Sequence, residues 1–460
     1  MANIVPSPNP ITSQKCHVLF VELEMERNWS VASIGPAFLA TYVRQFGHVV
    51  EIIHLSVDSS AQDAIQTILQ KNPDVLALSL TSRQWLRAKE IVNTLRKVRD
   101  IPTIVGGLHP TFAADSVLVE PGVDFACLGE GERAFAAFLD HIYAHPTDKT
   151  VQINNIQCKG QSKPTLFPPI EDINSIPFMA RDMLREQYGV VHMCTQRGCP
   201  FPCSYCAARM YNELYDNAEY GRRRSLENVF AELRHLSATS GINYIIFLDD
   251  TFTLHPKWVE KFCIEYPKEF SAPFSLHARV ETINQKMLEN LAKAGCKHIT
   301  YGVESGSERV RRDVMKRRVS NERLINAFQW TKDVGIITTA NYILGSPTET
   351  GAEIEETLAL HKVLDPHDFG YFMFYPYPGT PLYHYCVENK LLPENFYDMP
   401  ANHRNSVLRH DVLSPSELEY YYQRFTTLRE ESYVKRYGQF LQSADKDTVK
   451  STYTDSANVG

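Results

Sequence analysis

Residues 199–206 read Cys-Pro-Phe-Pro-Cys-Ser-Tyr-Cys, which sets Cys199, Cys203 and Cys206 at the spacing C-x3-C-x2-C. A loop this short wraps one corner of an iron–sulfur cubane, giving a thiolate to each of three irons and leaving the fourth iron open. Soft sulfur is the ligand such clusters select, so hydroxyls could not take the place of the thiols. Two other readings compete. A structural zinc site needs four ligands, often as two separated pairs, and no second Cys/His pair lies nearby. Cys194 would be the fourth candidate, yet its apolar, strand-like surroundings favour burial. Plain buried cysteines are the second alternative. Of the ten cysteines, four crowd into the thirteen residues 194–206 and the rest are scattered. In a reducing compartment a tight cluster favours metal binding over disulfides.

The chain around this loop has 460 residues, enough for two or three domains. From 15 to 150 short apolar runs alternate with helical periodicity. Strands are expected at 17–21, 49–54, 75–80, 103–105 and 125–128, and helices at 34–45, 61–71, 83–98 and 132–143. That alternation implies an α/β fold, a doubly wound parallel sheet with both faces covered. Residues 151–184 are polar and Pro-bearing and read as a connector. A second alternating series fills 185–390, with strands at 190–194, 244–248, 274–277, 298–303, 338–344 and 371–375. Six strand–helix units fit a partial (β/α)6 barrel with its chemistry at the C-terminal strand ends. Residues 391–442 read as a short helical cap and 443–460 as a disordered tail.

The segment from Val190 to Pro381 resembles the radical S-adenosylmethionine (SAM) superfamily, and Tyr205 before the third cysteine fits its pattern. The resemblance implies a [4Fe–4S] cluster on Cys199, Cys203 and Cys206, with SAM chelated to the open iron and cleaved to a 5′-deoxyadenosyl radical. Further matches follow in order. Asp249 and Asp250 end the second strand, where the family places acceptors for the methionine ammonium; capping of a helix by Asp250 or Thr251 is the alternative. Arg279 follows the third strand as a partner for the methionine carboxylate, or else as an exposed structural arginine. Glu304 and Ser305 in Gly302-Val303-Glu304-Ser305-Gly306-Ser307 fall near the ribose or carboxylate end of SAM. Gly345 and Pro347 in Leu344-Gly345-Ser346-Pro347-Thr348-Glu349 resemble the adenine-side segment, and Tyr377-Pro378-Gly379-Thr380-Pro381 a sixth-strand loop. Each alone is a weak Gly/Pro turn signal; their order after expected strands is what gives them weight.

Residues 16–144 resemble the cobalamin-binding domain that precedes many radical SAM enzymes, as in the cobalamin-dependent methyltransferases and anaerobic cyclases of that superfamily. The matching stretches are Ser33-Ile34-Gly35-Pro36, Asp74–Ser79, Gly106-Gly107-Leu108-His109-Pro110-Thr111 and Gly129-Glu130-Gly131-Glu132. By resemblance Gly35, Ser79, Thr81, Gly106, Gly107, His109, Gly129 and Glu130 are the candidate cobalamin contacts, in loops beyond the carboxyl ends of strands. The loop after the first strand, Glu22 to Trp29, holds no histidine. Cobalamin there would take no axial histidine from it, and a scaffold with an empty or altered site is the competing reading. His54 and His109 are read as structural rather than as cobalt ligands.

A net charge of −7 without a basic block argues against a nucleic-acid partner. No run approaches the ~20 apolar residues that cross a bilayer, and Met1–Gln14 lacks the pattern of a signal peptide. A cytoplasmic enzyme is expected. Arg222-Arg223-Arg224 reads as a solvated run, and Cys194, Cys296 and Cys386 as small buried hydrophobes. The leading expectation is biosynthetic methylation of an unactivated carbon through methylcobalamin and a 5′-deoxyadenosyl radical. The substrate would be a small molecule, lipid or peptide, with flavodoxin or ferredoxin as reductant. A cobalamin-associated cyclase or ring-rearranging enzyme is the second hypothesis, and a non-catalytic cobalamin or iron–sulfur sensor the third.

Overall fold

The computed structural model describes residues 15–25, 33–215 and 221–441, and the chain divides into two compact units, Met1–Arg185 and Glu186–Gly460. Met1–Gln14, the end of the loop after the first strand and the tail 443–460 lie outside the described residues.

The first unit runs β1 (His17–Leu23), α1 (Ile34–Arg44), β2 (Val49–Leu55), α2 (Ala61–Lys71), β3 (Val75–Ser79), α3 (Ser82–Val98), β4 (Thr103–Gly106), α4 (Leu108–Leu118), β5 (Phe125–Cys127), α5 (Glu132–Ala144) and β6 (Ile156–Cys158). Its sheet has the order β2-β1-β3-β4-β5-β6, with β1 to β5 parallel and β6 antiparallel to β5. Alternate residues of one strand feed alternate faces. Val18 and Phe20 pack under α1 and α5, whereas Leu19 and Val21 pack under α2 and α3. Burial on both faces is why the strands read as near-continuous apolar runs. The chain leaves β1 toward β2 on one side and continues through β3 on the other. The carboxyl ends of β1 and β3 are therefore the switch point where such sheets bind ligands.

Two stretches of this unit differ from expectation. Residues 151–184, read as a connector, are folded onto the first unit. β6 extends the sheet, Asn155 Nδ2 donates to Leu128 O at 2.7 Å, and Met179, Met183 and Leu184 enter the core. Arg44 clamps Asp182 through two N–H donors at 2.9 and 2.6 Å. Anchors separated by irregular loop carry no periodicity to detect. The Gly107–Thr111 stretch likewise is not all loop, because α4 starts at Leu108. Its interior Ala113 has φ −137° and ψ 35°, so it is two short turns rather than one amphipathic helix.

The second unit runs β7 (Val190–Met193), β8 (Gln196–Arg197), α6 (Ala207–Leu214), β9 (Arg222–Arg223), α7 (Leu226–Thr239), β10 (Tyr244–Phe247), α8 (Pro256–Glu269), β11 (Phe274–Ala278), α9 (Gln285–Ala294), β12 (Cys296–Glu304), α10 (Asn321–Asp333), β13 (Ile337–Leu344), α11 (Gly351–Leu364), β14 (Asp368–Met373), α12 (Pro381–Glu388) and α13 (Pro415–Leu441). The main sheet is parallel throughout, in the order β14-β13-β12-β11-β10-β7. Strands that follow one another in chain order wind as a barrel does. Among the described residues β7 and β14 each pair on one side only, so six strands form a partial barrel. The outward residues Leu276, Ile299, Tyr301, Ala340 and Tyr342 are buried in one apolar core with the helices. The inward face is polar: His277 lies opposite Thr300, and His298 Nε2 is 2.8 Å from Thr339 Oγ1.

The Tyr-rich helix α13 packs on the outside of this barrel. Phe425 meets Tyr342, Phe369 and Tyr371, and Tyr371 OH donates to Thr426 Oγ1 at 2.9 Å. The segment before it is not helical as a whole: residues 391–413 carry only a short turn at Phe396–Asp398. They are pinned by Leu391, Phe396, Val407 and Leu408 around Phe374, Tyr375 and Cys386.

Candidate cofactor sites

The cysteine loop leaves the end of β7 through the two-residue ladder of β8 with β9. Asp249, at the end of β10, fixes this exit. Its carboxylate accepts from Thr195 N and Thr195 Oγ1, both at 2.6 Å, and from Gln196 N at 2.9 Å. Arg223 braces the same turn from β9, donating to Gln196 Oε1 and Phe252 O at 2.8 Å while its guanidinium lies 3.9 Å from the Trp258 ring centroid. Arg224 donates to Glu232 Oε2 at 2.6 Å. Arg223 and Arg224 are therefore braces and not part of a solvated face; the Arg223 partners lie 27 to 29 residues away, where a local charge pattern cannot show them. On the far side Ser204 is tied to Val314 O at 2.6 Å and Met315 O at 3.1 Å.

Cys199, Cys203 and Cys206 are all free thiols, the first two buried and the third half-buried. Burial pushes the Cys199 thiol up and the Cys206 thiol to about 12, so ligation has to displace their protons. Cys199 Sγ lies 3.8 Å from Thr251 Oγ1, and Cys203 Sγ accepts from Arg279 Nη1 at 3.1 Å. Among the described residues no three His, Cys, Asp or Glu side chains converge on a single ion. A cubane does not ask for that convergence, since each of its thiolates binds a different iron.

The expected SAM contacts all fall at the C-terminal strand ends, but they divide in two. Some face one another. Tyr205 OH donates to Glu304 Oε1 at 3.0 Å. Arg317, almost wholly buried, lies 3.6 Å from Glu304 and donates to both Glu281 oxygens at 3.0 and 2.8 Å. Arg279 Nη2 donates to Glu281 Oε1 at 2.5 Å, while Arg279 Nε is buried without a partner among the described residues. Asp250 is exposed, no hydrogen bond reaches its carboxylate among the described residues, and the surrounding protein followed by the Asp249 charge lifts it to about 6. Neither Asp250 nor Thr251 caps the following short helix; the Thr251 hydroxyl donates to Asp250 O. An unpaired guanidinium N–H and an unpaired carboxylate beside three thiols fit a zwitterionic amino-acid ligand such as the methionine end of SAM.

The others hold the turns themselves. Asp249 is spent on Thr195 and Gln196. Ser305 is fully buried, its hydroxyl accepting from Ser307 N at 3.2 Å and lying 3.4 Å from Glu349 Oε1. Gly345 has φ +71°, and a Cβ there would lie 2.8 Å from Leu418. Pro347 is buried in the same turn. Glu281, Arg317 and Glu349 were missing from the expected set. Glu349 had a signal, closing the quoted Gly-x-Pro-x-Glu segment; Glu281 and Arg317 sit in stretches with none.

In the first unit the switch point forms a glycine cradle. Gly107, with φ +93°, lies so close to Leu80 that an added Cβ would be 2.7 Å from its N and 2.8 Å from its O. Cβ atoms on Gly35 and Gly107 would both lie 3.2 Å from Ser79 Oγ. Gly106 leads into Gly107 at the end of β4, and Gly129 N donates to Thr111 Oγ1 at 3.0 Å. Glycines let a backbone approach a flat ligand closely. His109 is buried, its Nδ1 on Ser82 Oγ at 2.9 Å and its ring stacked on Trp85, with Nε2 unpartnered among the described residues; burial holds it down at about 4, neutral. Thr81 and Glu130 work locally: Thr81 N and hydroxyl both donate to Gln84 Oε1, and Glu130 Oε2 accepts from Ile170 N at 2.9 Å. Sequence reading missed Glu22 at the end of β1, buried between Ser33 Oγ at 3.0 Å and Gln84 Nε2 at 2.7 Å, with burial lifting it to about 7. The cradle and the orphaned His109 nitrogen fit a large planar cofactor.

Comparison with known proteins follows the same division. The profile of the radical SAM superfamily matches residues 193–361, and that of the B12 binding domain matches residues 30–139. An uncharacterized methyltransferase of Pyrococcus horikoshii is 29% identical, with 78% of this chain and 79% of that protein aligned. The anaerobic magnesium-protoporphyrin IX monomethyl ester cyclase of Rubrivivax gelatinosus is 27% identical over 78% of this chain and 67% of that protein. Among solved structures, the cobalamin-dependent S-adenosylmethionine radical enzyme OxsB, with aqua-cobalamin and S-adenosylmethionine bound, has a TM-score of 0.69 at 18% identity, covering 94% of this chain and 74% of that one. At that identity the likeness establishes a common fold. Among the described residues no helix is long and apolar enough to cross a membrane.

Proposed function

Since this chain is a radical SAM enzyme with a B12-binding domain ahead of its radical SAM domain, we propose that it methylates an unactivated carbon of its substrate with cobalamin as methyl carrier. The observation that carries this reading is the pair of preformed sites, a glycine cradle at the switch point of the first sheet and a three-thiol loop at the mouth of the second. When bound, the cluster with SAM supplies a 5′-deoxyadenosyl radical that removes a substrate hydrogen, and cobalamin supplies the methyl group.

The chain's own residues bind and orient. Cys199, Cys203 and Cys206 would hold three irons, and the Ser204 and Asp249 contacts keep their loop rigid before the cluster arrives. Arg279 and Asp250 offer opposite charges for the carboxylate and ammonium of methionine. Glu304 is re-aimed by a bulge between Gly302 and Glu304 and by its own φ of +69°, which turns its carboxylate toward Tyr205 and Arg317. In the first unit Gly35, Ser79, Gly106 and Gly107 would lie against the corrin. The cyclase relative favours a second reading, ring formation without methyl transfer on the same cofactors.

Anaerobic purification with cobalamin supplied, followed by visible spectra and a corrinoid assay, tests the proposal. Stoichiometric corrinoid that gains a methyl group on addition of SAM and reductant is expected. A cluster that cleaves SAM in protein devoid of corrinoid would refute methyl transfer from cobalamin. Product mass separates methylation from ring closure.

A further inference from the structure

Arg279 meets the cysteine loop in two ways and Glu281 in a third, and none involves a methionine carboxylate. Nη1 donates to Cys203 Sγ at 3.1 Å. The guanidinium carbon lies 4.0 Å from the centroid of Phe201, which sits inside the C-x3-C interval. Nη2 rests on Glu281, whose carboxylate is shared with buried Arg317. One Glu281 carboxylate is thus divided between two guanidiniums, and the Nη1 end of Arg279 lies on the sulfur. The planar guanidinium fixes the direction of its N–H bonds in a way that an ammonium does not.

We infer that Arg279 is a donor to the iron–sulfur cluster itself, its N–H on the Cys203 sulfur raising the cluster's reduction potential. Hydrogen bonds to sulfur and nearby charge are the levers by which a protein sets such potentials. When [4Fe–4S]2+ takes one electron from an external low-potential donor, negative charge builds up on the sulfurs, and a charge-assisted donor to one of them stabilises the reduced form. The inference rests on the radical SAM reading of the cysteine loop, and it holds before SAM binds.

The test is an EPR-monitored redox titration of the reconstituted full chain without SAM, comparing wild type with Arg279→Met and Arg279→Lys. The Met variant, which keeps the stem and loses charge and donors, should titrate at a more negative midpoint. The Lys variant, which keeps the charge without the fixed donor, should fall between. A Met variant with full iron and sulfide content and the wild-type midpoint overturns the inference and leaves Arg279 as a SAM partner. If the Met variant fails to hold a cluster, the Lys variant decides alone: a negative shift supports the inference and an unmoved midpoint overturns it. Failure of wild type to assemble any cluster would instead defeat the proposed function.

Discussion

Glu349 offers a quantitative test of how the β13 turn is built. Its side chain is fully buried, Oε2 accepts from Gly345 N at 2.8 Å and Ser346 N at 3.1 Å, and Oε1 lies 3.4 Å from Ser305 Oγ. Burial is the larger influence and lifts the carboxyl from 4.5 to about 7, against the pull of the two backbone donors. A carboxyl raised in the folded state stabilises the fold fully below its unfolded value, and that contribution fades as pH climbs through the folded value. At about 1.4 kcal/mol per unit the whole span is worth roughly 3 kcal/mol, of which about 2 kcal/mol falls between pH 5.5 and 8.5. Glutamine keeps one carbonyl oxygen for both N–H groups and does not titrate. Glu349→Gln should therefore gain about 2 kcal/mol on wild type between those two pH values. Urea unfolding followed by the fluorescence of Trp258 and Trp330, both in the second unit, reads the difference. Glu349→Ala orphans two buried N–H groups and should cost about 2–5 kcal/mol at either pH. A Gln-minus-wild-type offset that is the same at pH 5.5 and 8.5 would refute a raised Glu349.

Serine at Cys199, Cys203 or Cys206 should each abolish the cluster's visible absorbance, whereas serine at buried Cys263 should leave it intact. At Gly306→Ala a Cβ would fall inside the backbone of Glu356 and Thr357 in α11, so thermal unfolding should show a loss of about 1–3 kcal/mol or more. Gly107→Ala forces a side chain to φ +93° against Leu80; about 1–3 kcal/mol of strain should lower corrinoid retained per chain while iron content holds. Asp249→Asn sets an amide N–H against the donors of Thr195 and Gln196. It should cost about 1–3 kcal/mol and reduce iron bound per chain, measured by colorimetric assay.

Strand and helix positions in both units were largely legible because a parallel α/β chain writes them twice, as apolar strand runs and as helical periodicity between them. The cysteine loop was legible because covalent spacing alone decides whether three thiols can share one cubane. Where periodicity carried no information the reading failed. The 151–184 stretch docks by isolated anchors, Asn155, Met179 and Met183, and α13 could not be assigned to a face because tyrosines suit both an outer wall and an entrance. Its docking was decided by Tyr342 and Phe369, far away in sequence.

The adjacent acids Asp249 and Asp250 show where sequence reading of a site has to stop. Both lie just beyond β10 and both match an ammonium-binding position, yet their surroundings differ. Asp249 is buried on three donors of the cysteine-loop exit, so its charge is satisfied before any ligand arrives. Asp250 is exposed, finds no donor among the described residues, and is the one with an acceptor to offer. Arg279 and Arg317 divide similarly: they share Glu281, but of the two Arg279 alone retains a buried N–H unpaired among the described residues. Motif matching weighs each member of such a pair alike, because it records which residue types occur and not which have already spent their hydrogen bonds. A ligand can exchange its hydration only for groups still unpaired. The members left with a free donor or acceptor, Asp250 and Arg279, are therefore the ones whose substitution should weaken SAM binding more than it weakens the fold.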